Sequence, residues 1–168
     1  MKHPRIAIAA LTLSAAGFAG LVLQEGYTDR AVVPTLGDRP TVGFGSTFRE
    51  DGSPVQMGDT ITPPRAVARS LAHIAKDESG LKDCMEGAAL RQAEYDLLVD
   101  HAYQYGVYAT CRSAMVRHVM AGEYEAACHA YLLYKFAGGY DCSTPGNKRC
   151  AGVWKRSQER RAKCLAAQ

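Results

Sequence analysis

Three acids and four glycines crowd residues 25–45. Glu25-Gly26-Tyr27-Thr28-Asp29 is followed by Gly37-Asp38-Arg39-Pro40-Thr41-Val42-Gly43-Phe44-Gly45. Two carboxyls facing each other across a cleft are what glycosidic cleavage requires. One stays protonated and donates to the leaving oxygen; the other activates water or stabilises the positive sugar. Glycines between them permit tight turns and close approach of a ligand. On spacing alone, Glu25, Asp29 and Asp38 read more readily as solvated loop acids.

The elements that must position these residues fall into two styles. Residues 24–61 are rich in Gly, Thr, Asp and Pro, with Thr41–Gly45 as a strand and residues 49–54 as a polar turn. From Thr62 the pattern becomes helical. Thr62-Pro63-Pro64 starts a helix that Gly80 should end. Leu90 to Tyr105 forms a second apolar face stopped by Gly106. Further helices are expected over Ser113–Met120, over Tyr124–Tyr134 with Gly138-Gly139 ending it, and over Val153–Leu165. The fold class is α+β: a small β-bearing N-terminal lobe and a mainly helical C-terminal lobe, preceded by an N-terminal apolar helix.

That helix decides the compartment. Lys2, His3 and Arg5 precede Ile6–Leu23, eighteen residues without a charge. A basic flank before an apolar stretch reads as an export signal with its N-terminus inside. Ten of the eighteen are Ala, Gly, Ser or Thr, so as a membrane anchor the stretch is weak. It is cleaved after Ala19, leaving a form that begins at Gly20, or kept as an anchor; a buried core helix is the third and least favoured reading, because the basic flank would then be coincidence. The domain boundaries are then 1–24 for the signal or anchor and 25–168 for the folded body. Export places six cysteines in an oxidising space, where they form disulfides. Cys142 and Cys150 bracket a turn-rich loop and make the best single pair; the other four allow three connectivities. No Cys-x-x-Cys occurs, which argues against zinc. The net charge of +3 is too mild to point to nucleic acid.

Glu25-Gly26 followed by Thr41-Val42-Gly43-Phe44-Gly45 resembles the start of phage-type lysozymes, glycoside hydrolase family 24. Residues 95–120, the stretch from Gly122 to Cys128, Phe136-Ala137-Gly138-Gly139, and residues 152–161 are similar to that family's later segments in the same order. The resemblance implies an endolysin: a muramidase that hydrolyses the β-1,4 bond between N-acetylmuramic acid and N-acetylglucosamine in peptidoglycan. It implies no cofactor. Glu25 matches the family's Glu and Thr41 its Thr. The family's Asp, nine residues after the Glu and six before the Thr, finds Pro34 and Thr35 here. Asp38, beside Thr41, takes the role as the nearest later carboxylate. The layout also resembles signal-anchor-release endolysins, in which a weak membrane helix leaves the bilayer before the cleft forms. The expected partners are peptidoglycan and, through residues 6–23, the inner membrane; the chain is expected to act as a monomer. Two rivals follow: a non-catalytic wall-binding module, supported by the missing Asp, and a lytic transglycosylase on the same fold. His73, His101, His118 and His129 are read as helix-face or packing residues. The basic C-terminus, with Lys148, Arg149, Lys155, Arg156, Arg160, Arg161 and Lys163, reads as a solvated face or an attractor of anionic wall polymers.

Overall fold

The computed structural model describes residues 4–34 and 37–168; Lys2, His3 and Thr35 lie outside the described residues. The elements run β1 (Ile6–Ala7), a 3-10 turn (Ile8–Ala10), α1 (Ala15–Glu25), β2 (Thr28–Val32), β3 (Thr41–Gly43), α2 (Pro63–Cys84), β4 (Ala89–Leu90), α3 (Gln92–Tyr105), α4 (Val107–Cys111), α5 (Ala114–Met120), α6 (Tyr124–Ala130), a 3-10 turn (Tyr131–Leu133), β5 (Phe136–Ala137), β6 (Tyr140–Asp141) and α7 (Ala151–Ala166). They divide into two compact units, residues 14–79 and residues 1–13 with 80–168.

In the unit of residues 14–79, Ser14 begins α1 by accepting a hydrogen bond from Gly17 N on its hydroxyl, the ordinary N-cap arrangement. β2 and β3 pair antiparallel, Thr28 opposite Gly43 and Val32 opposite Thr41, with an irregularity between. Arg30 bridges to Thr60, adding a third edge. Ala31, Val42, Val55, Ile61 and Ala66 form the core, with Phe44 against it.

The other unit is helical. α6 packs on α5 and α7, and α7 packs on α3. Three disulfides tie it: Cys84–Cys111, Cys128–Cys164 and Cys142–Cys150. The expected 142–150 pair is present, and the structure selects one of the three connectivities for the rest.

The mixed α+β class and most helices stand as expected. The continuous N-terminal apolar helix does not. Residues 6–23 divide into a strand, a 3-10 turn and the start of α1. Ile6 and Ala7 pair with Leu90 and Ala89, and Ile8 N donates to Ala88 O. Ile8 and Leu11 are each only 2% exposed, so they serve as core of the helical unit. Among the described residues no helix is long and apolar enough to cross a membrane.

Gly80 is a second correction, since α2 runs through it to Cys84. A Cβ there would meet Val107 Cγ1 at 2.7 Å. The residue is glycine because α4 approaches closely, and no helix end is involved. The helix begun at Tyr124 stops as α-helix at Ala130. Gly138-Gly139 forms the turn of the β5–β6 hairpin, whose strands were not anticipated.

Candidate active site

Glu25 is the last residue of α1 and is half-buried; Gly26 closes the helix by donating its N–H to Val22 O. The chain then enters β2, which is fixed firmly. The Tyr27 hydroxyl donates to Ile61 O at 2.7 Å, and its ring lies 5.6 Å from that of Phe44. Asp29 O accepts from Ile61 N, and Ala31 N donates to Asp59 O. Glu25 therefore sits on a helix end whose exit strand is held on two sides.

β3 turns tightly after Thr41. Val42 and Ser46 exchange both backbone hydrogen bonds, at 3.0 and 3.1 Å, around Gly43-Phe44-Gly45. This turn carries Gly45 to Glu25: a Cβ on Gly45 would lie 3.3 Å from Glu25 Oε2. Gly45 also has φ of +77°, a conformation side chains resist. The glycine serves twice, for backbone shape and for close approach to the carboxylate. Sequence reading grouped Gly45 with its motif; the signal for its contact was the glycine density itself.

The other two candidates are placed less tightly. Thr41 opens β3 opposite Val32, its hydroxyl 3.5 Å from Val32 O. Asp38 is solvent-exposed in the connection between β2 and β3. Asp29 is exposed on β2. Behind the turn, Arg49 grips Asp59 through two 2.7 Å hydrogen bonds, and Gln56 N adds a third donor to the same carboxylate. The Arg49 guanidinium leads in holding the Asp59 carboxyl down to about 2. This clamp braces the loop of residues 46–60.

In the helical unit two members of the C-terminal basic run depart from the solvated face expected of it. Arg156 and Arg160 are buried, at 9% and 2% exposure. Both converge on Asp100 of α3: Arg156 Nη2 on Oδ1 at 2.6 Å and Arg160 Nε on Oδ2 at 2.5 Å. Burial alone would raise the Asp100 carboxyl, but the two guanidinium charges outweigh it and hold it below the usual range. Lys148, Arg149, Lys155 and Lys163 remain exposed. Among the described residues no group of His, Cys, Asp and Glu is arranged to hold a metal ion.

With the geometry in place, similarity to known proteins is direct. Residues 22–160 match the phage lysozyme family. The endolysin of Salmonella phage P22 is 30% identical over 131 residues, covering 76% of this chain and 86% of that protein. Among solved structures, an endolysin from Escherichia coli O157:H7 phage FAHEc1 superposes with a TM-score of 0.79 at 24% identity, covering 95% of this chain and 96% of its own. A mutant of P22 lysozyme superposes with a TM-score of 0.74 at 26% identity, covering 92% and 99%. The fold is lysozyme-like, and this chain belongs to the phage lysozyme family.

Proposed function

We propose that this chain is an endolysin of muramidase type, which hydrolyses the β-1,4 bond after N-acetylmuramic acid in peptidoglycan and so lyses a bacterial host. Family membership supports the reaction class. The observation that carries the assignment of Glu25 is its carboxylate at the end of α1, half-buried and set against the Gly45 turn. Glu25 acts as general acid toward the leaving sugar oxygen. Asp38 and Thr41 hold the attacking water on the opposite face. An inverting reaction of this kind leaves roughly 6.5–9.5 Å between the two carboxyl groups. Asp38 is exposed in its loop, where water and substrate can reach it.

The enzyme acts on the cell wall and is therefore exported. Residues 6–23 first hold it in the inner membrane as a continuous helix and are retained afterwards as β1, the 3-10 turn and α1. The seating of Ile8 and Leu11 in the helical unit supports retention over cleavage. The released chain works as a monomer.

The decisive experiment digests purified peptidoglycan with wild type and Glu25→Gln and weighs the products. Hydrated muropeptides from wild type alone are expected. Near-normal rates in Glu25→Gln would remove Glu25 from the mechanism, and anhydro products would convert the reaction to transglycosylation.

A further inference from the structure

Tyr27 follows the glycine that closes α1 and stands two residues after Glu25. Phe44 stands one residue before Gly45, whose missing Cβ position lies 3.3 Å from Glu25 Oε2. The two rings meet with centroids 5.6 Å apart and planes tilted by 53°, the arrangement of a favourable aromatic pair. Side chain to side chain, the contact joins the two backbone stretches that flank the Glu25 carboxylate.

Both stretches are tied to one post, Ile61. On the first, the Tyr27 hydroxyl donates to Ile61 O at 2.7 Å, and Ile61 N donates to Asp29 O at 2.9 Å. On the second, Gly43 approaches so closely that a Cβ on it would meet Ala66 Cβ at 3.0 Å and Ile61 Cγ2 at 3.5 Å. The turn is thus seated against Ile61 and Ala66, and Phe44 packs on the core they belong to. Tyr27 is different, because its side chain is 39% exposed. Holding so exposed a ring in one orientation costs rotamer freedom that burial does not return in full. Its hydroxyl bond and its contact with Phe44 are what keep it in place, and what it fixes in return is the spacing of the two stretches.

We propose that Tyr27 is a positioning residue for the reaction: through Phe44 it fixes the Gly45 turn against the Glu25 carboxylate and holds the acid where it donates its proton. The inference rests on the muramidase reading. A general acid works only within hydrogen-bond reach of the atom it protonates, and a small misplacement costs rate far more than binding. Tyr27 acts through Glu25, so its loss belongs in kcat and leaves KM in place.

The test measures kcat and KM of the full chain on soluble peptidoglycan strands, below the melting temperature of every variant. Tyr27→Leu should lower kcat about tenfold and hold KM within about twofold. Tyr27→Phe keeps the ring against Phe44 and should rescue kcat to within about threefold of wild type. Tyr27→Leu combined with Phe44→Leu should lose no more than the worse of the two single variants, because they break one link. Val55→Ala is the control: Val55 is buried in the same core, so its variant should lose stability and keep kcat. Unchanged kcat in Tyr27→Leu, a raised KM with kcat kept, no rescue by Tyr27→Phe, or losses that simply add would each overturn the proposal. Because Tyr27 is partly exposed, its two variants answer even where Phe44→Leu folds poorly. Failure of the muramidase reading would show separately, as wild type that cleaves no glycan.

Discussion

The carboxylate of Glu25 stands in tight contact with the place a side chain on Gly45 would take: Oε2 lies 3.3 Å from that absent Cβ. Gly45→Ala should therefore push the proposed acid out of register and strain a backbone at φ +77°. The strain alone is worth about 1–2 kcal/mol. Gly58→Ala supplies the control, because Gly58 has φ +98° and nothing within 4 Å of its missing Cβ. Both variants should lose similar stability. Only Gly45→Ala should lose activity, by at least about tenfold. Equal activity in the two, measured on peptidoglycan below their melting temperatures, would detach Gly45 from the site.

The start of the chain is a structural part of the helical unit. Arg5 donates to both Glu94 oxygens, at 3.1 and 2.7 Å, and its guanidinium lies 3.4 Å from the Tyr124 ring centre. Glu94 meanwhile accepts from Arg91 N and starts α3. A fragment beginning at Gly20 loses this contact, the β1–β4 pairing and the buried side chains of Ile8 and Leu11. Each buried aliphatic is worth about 2–5 kcal/mol, and a domain's total stability is about 5–15 kcal/mol. The fragment should fail to fold, and Arg5→Ala should lose about 1–3 kcal/mol by leaving Glu94 without its cation. A fragment from Gly20 that melts cooperatively near the wild-type temperature would contradict this.

Local signals made much of this legible. Ser113 caps α5, Gly106 closes α3, and the apolar period of α3 names its buried face. What escaped depends on partners distant in sequence. Residues 6–23 are apolar throughout, and hydropathy alone does not reveal that Ile6 finds a strand partner at Leu90. The segment Thr28–Val32 lacks an apolar alternation and becomes a strand only because Thr41–Gly43 and Thr60 flank it. Arg156 and Arg160 read as surface charge, yet Asp100, 56 and 60 residues earlier, takes both inside. At the site, Glu25 and the glycine turn were visible in the residues, whereas the 3.3 Å approach of Gly45 needed the folded turn.

Gly80 turns one of those misreadings into a measurement. Alanine normally gains about 1 kcal/mol over glycine within a helix. Here its Cβ would press on Val107, whose branched side chain has little freedom to move. Overpacking of this kind costs about 1–3 kcal/mol, so Gly80→Ala should be destabilising on balance. Gly80→Ala with Val107→Ala should recover the helix gain. A stabilised single variant in thermal melts would show that α4 yields easily.

His101 gives the protein a specific sensitivity to acid. It is fully buried, with Nδ1 2.8 Å from Thr110 Oγ1, and that hydroxyl donates to Gly106 O. The hydroxyl must therefore accept from Nδ1–H, which leaves Nε2 as a buried acceptor without a hydrogen bond among the described residues. Burial, reinforced by Arg160, pushes the ring down to about 3 from its ordinary 6.5. The unfolded chain takes up the proton first as pH falls, so this contribution is complete above about 6.5 and drains away toward about 3. His101→Phe removes the titration and leaves Thr110 bonded to Gly106. Its melting temperature should fall less steeply than wild type between pH 6.5 and 4, and parallel curves would exclude His101 as the cause.

The three disulfides should differ in value according to the chain each closes. Cys142–Cys150 spans a separation of 8, Cys84–Cys111 of 27, and Cys128–Cys164 of 36. Restricting the unfolded chain gives about 2.5 kcal/mol for the shortest and about 3.8 kcal/mol for the longest. The longest also joins α6 to α7, the helix that carries Arg156 and Arg160 to Asp100. Removing Cys128–Cys164 therefore loosens both the chain constraint and the seat of a buried ion cluster, whose guanidinium charges are costly without their carboxylate. Paired Cys→Ala variants should lose stability in the order 128–164, 84–111, 142–150 when melted under oxidising conditions. A 142–150 variant that melts lowest would mean that the short loop before α7 matters for helix seating more than chain entropy does.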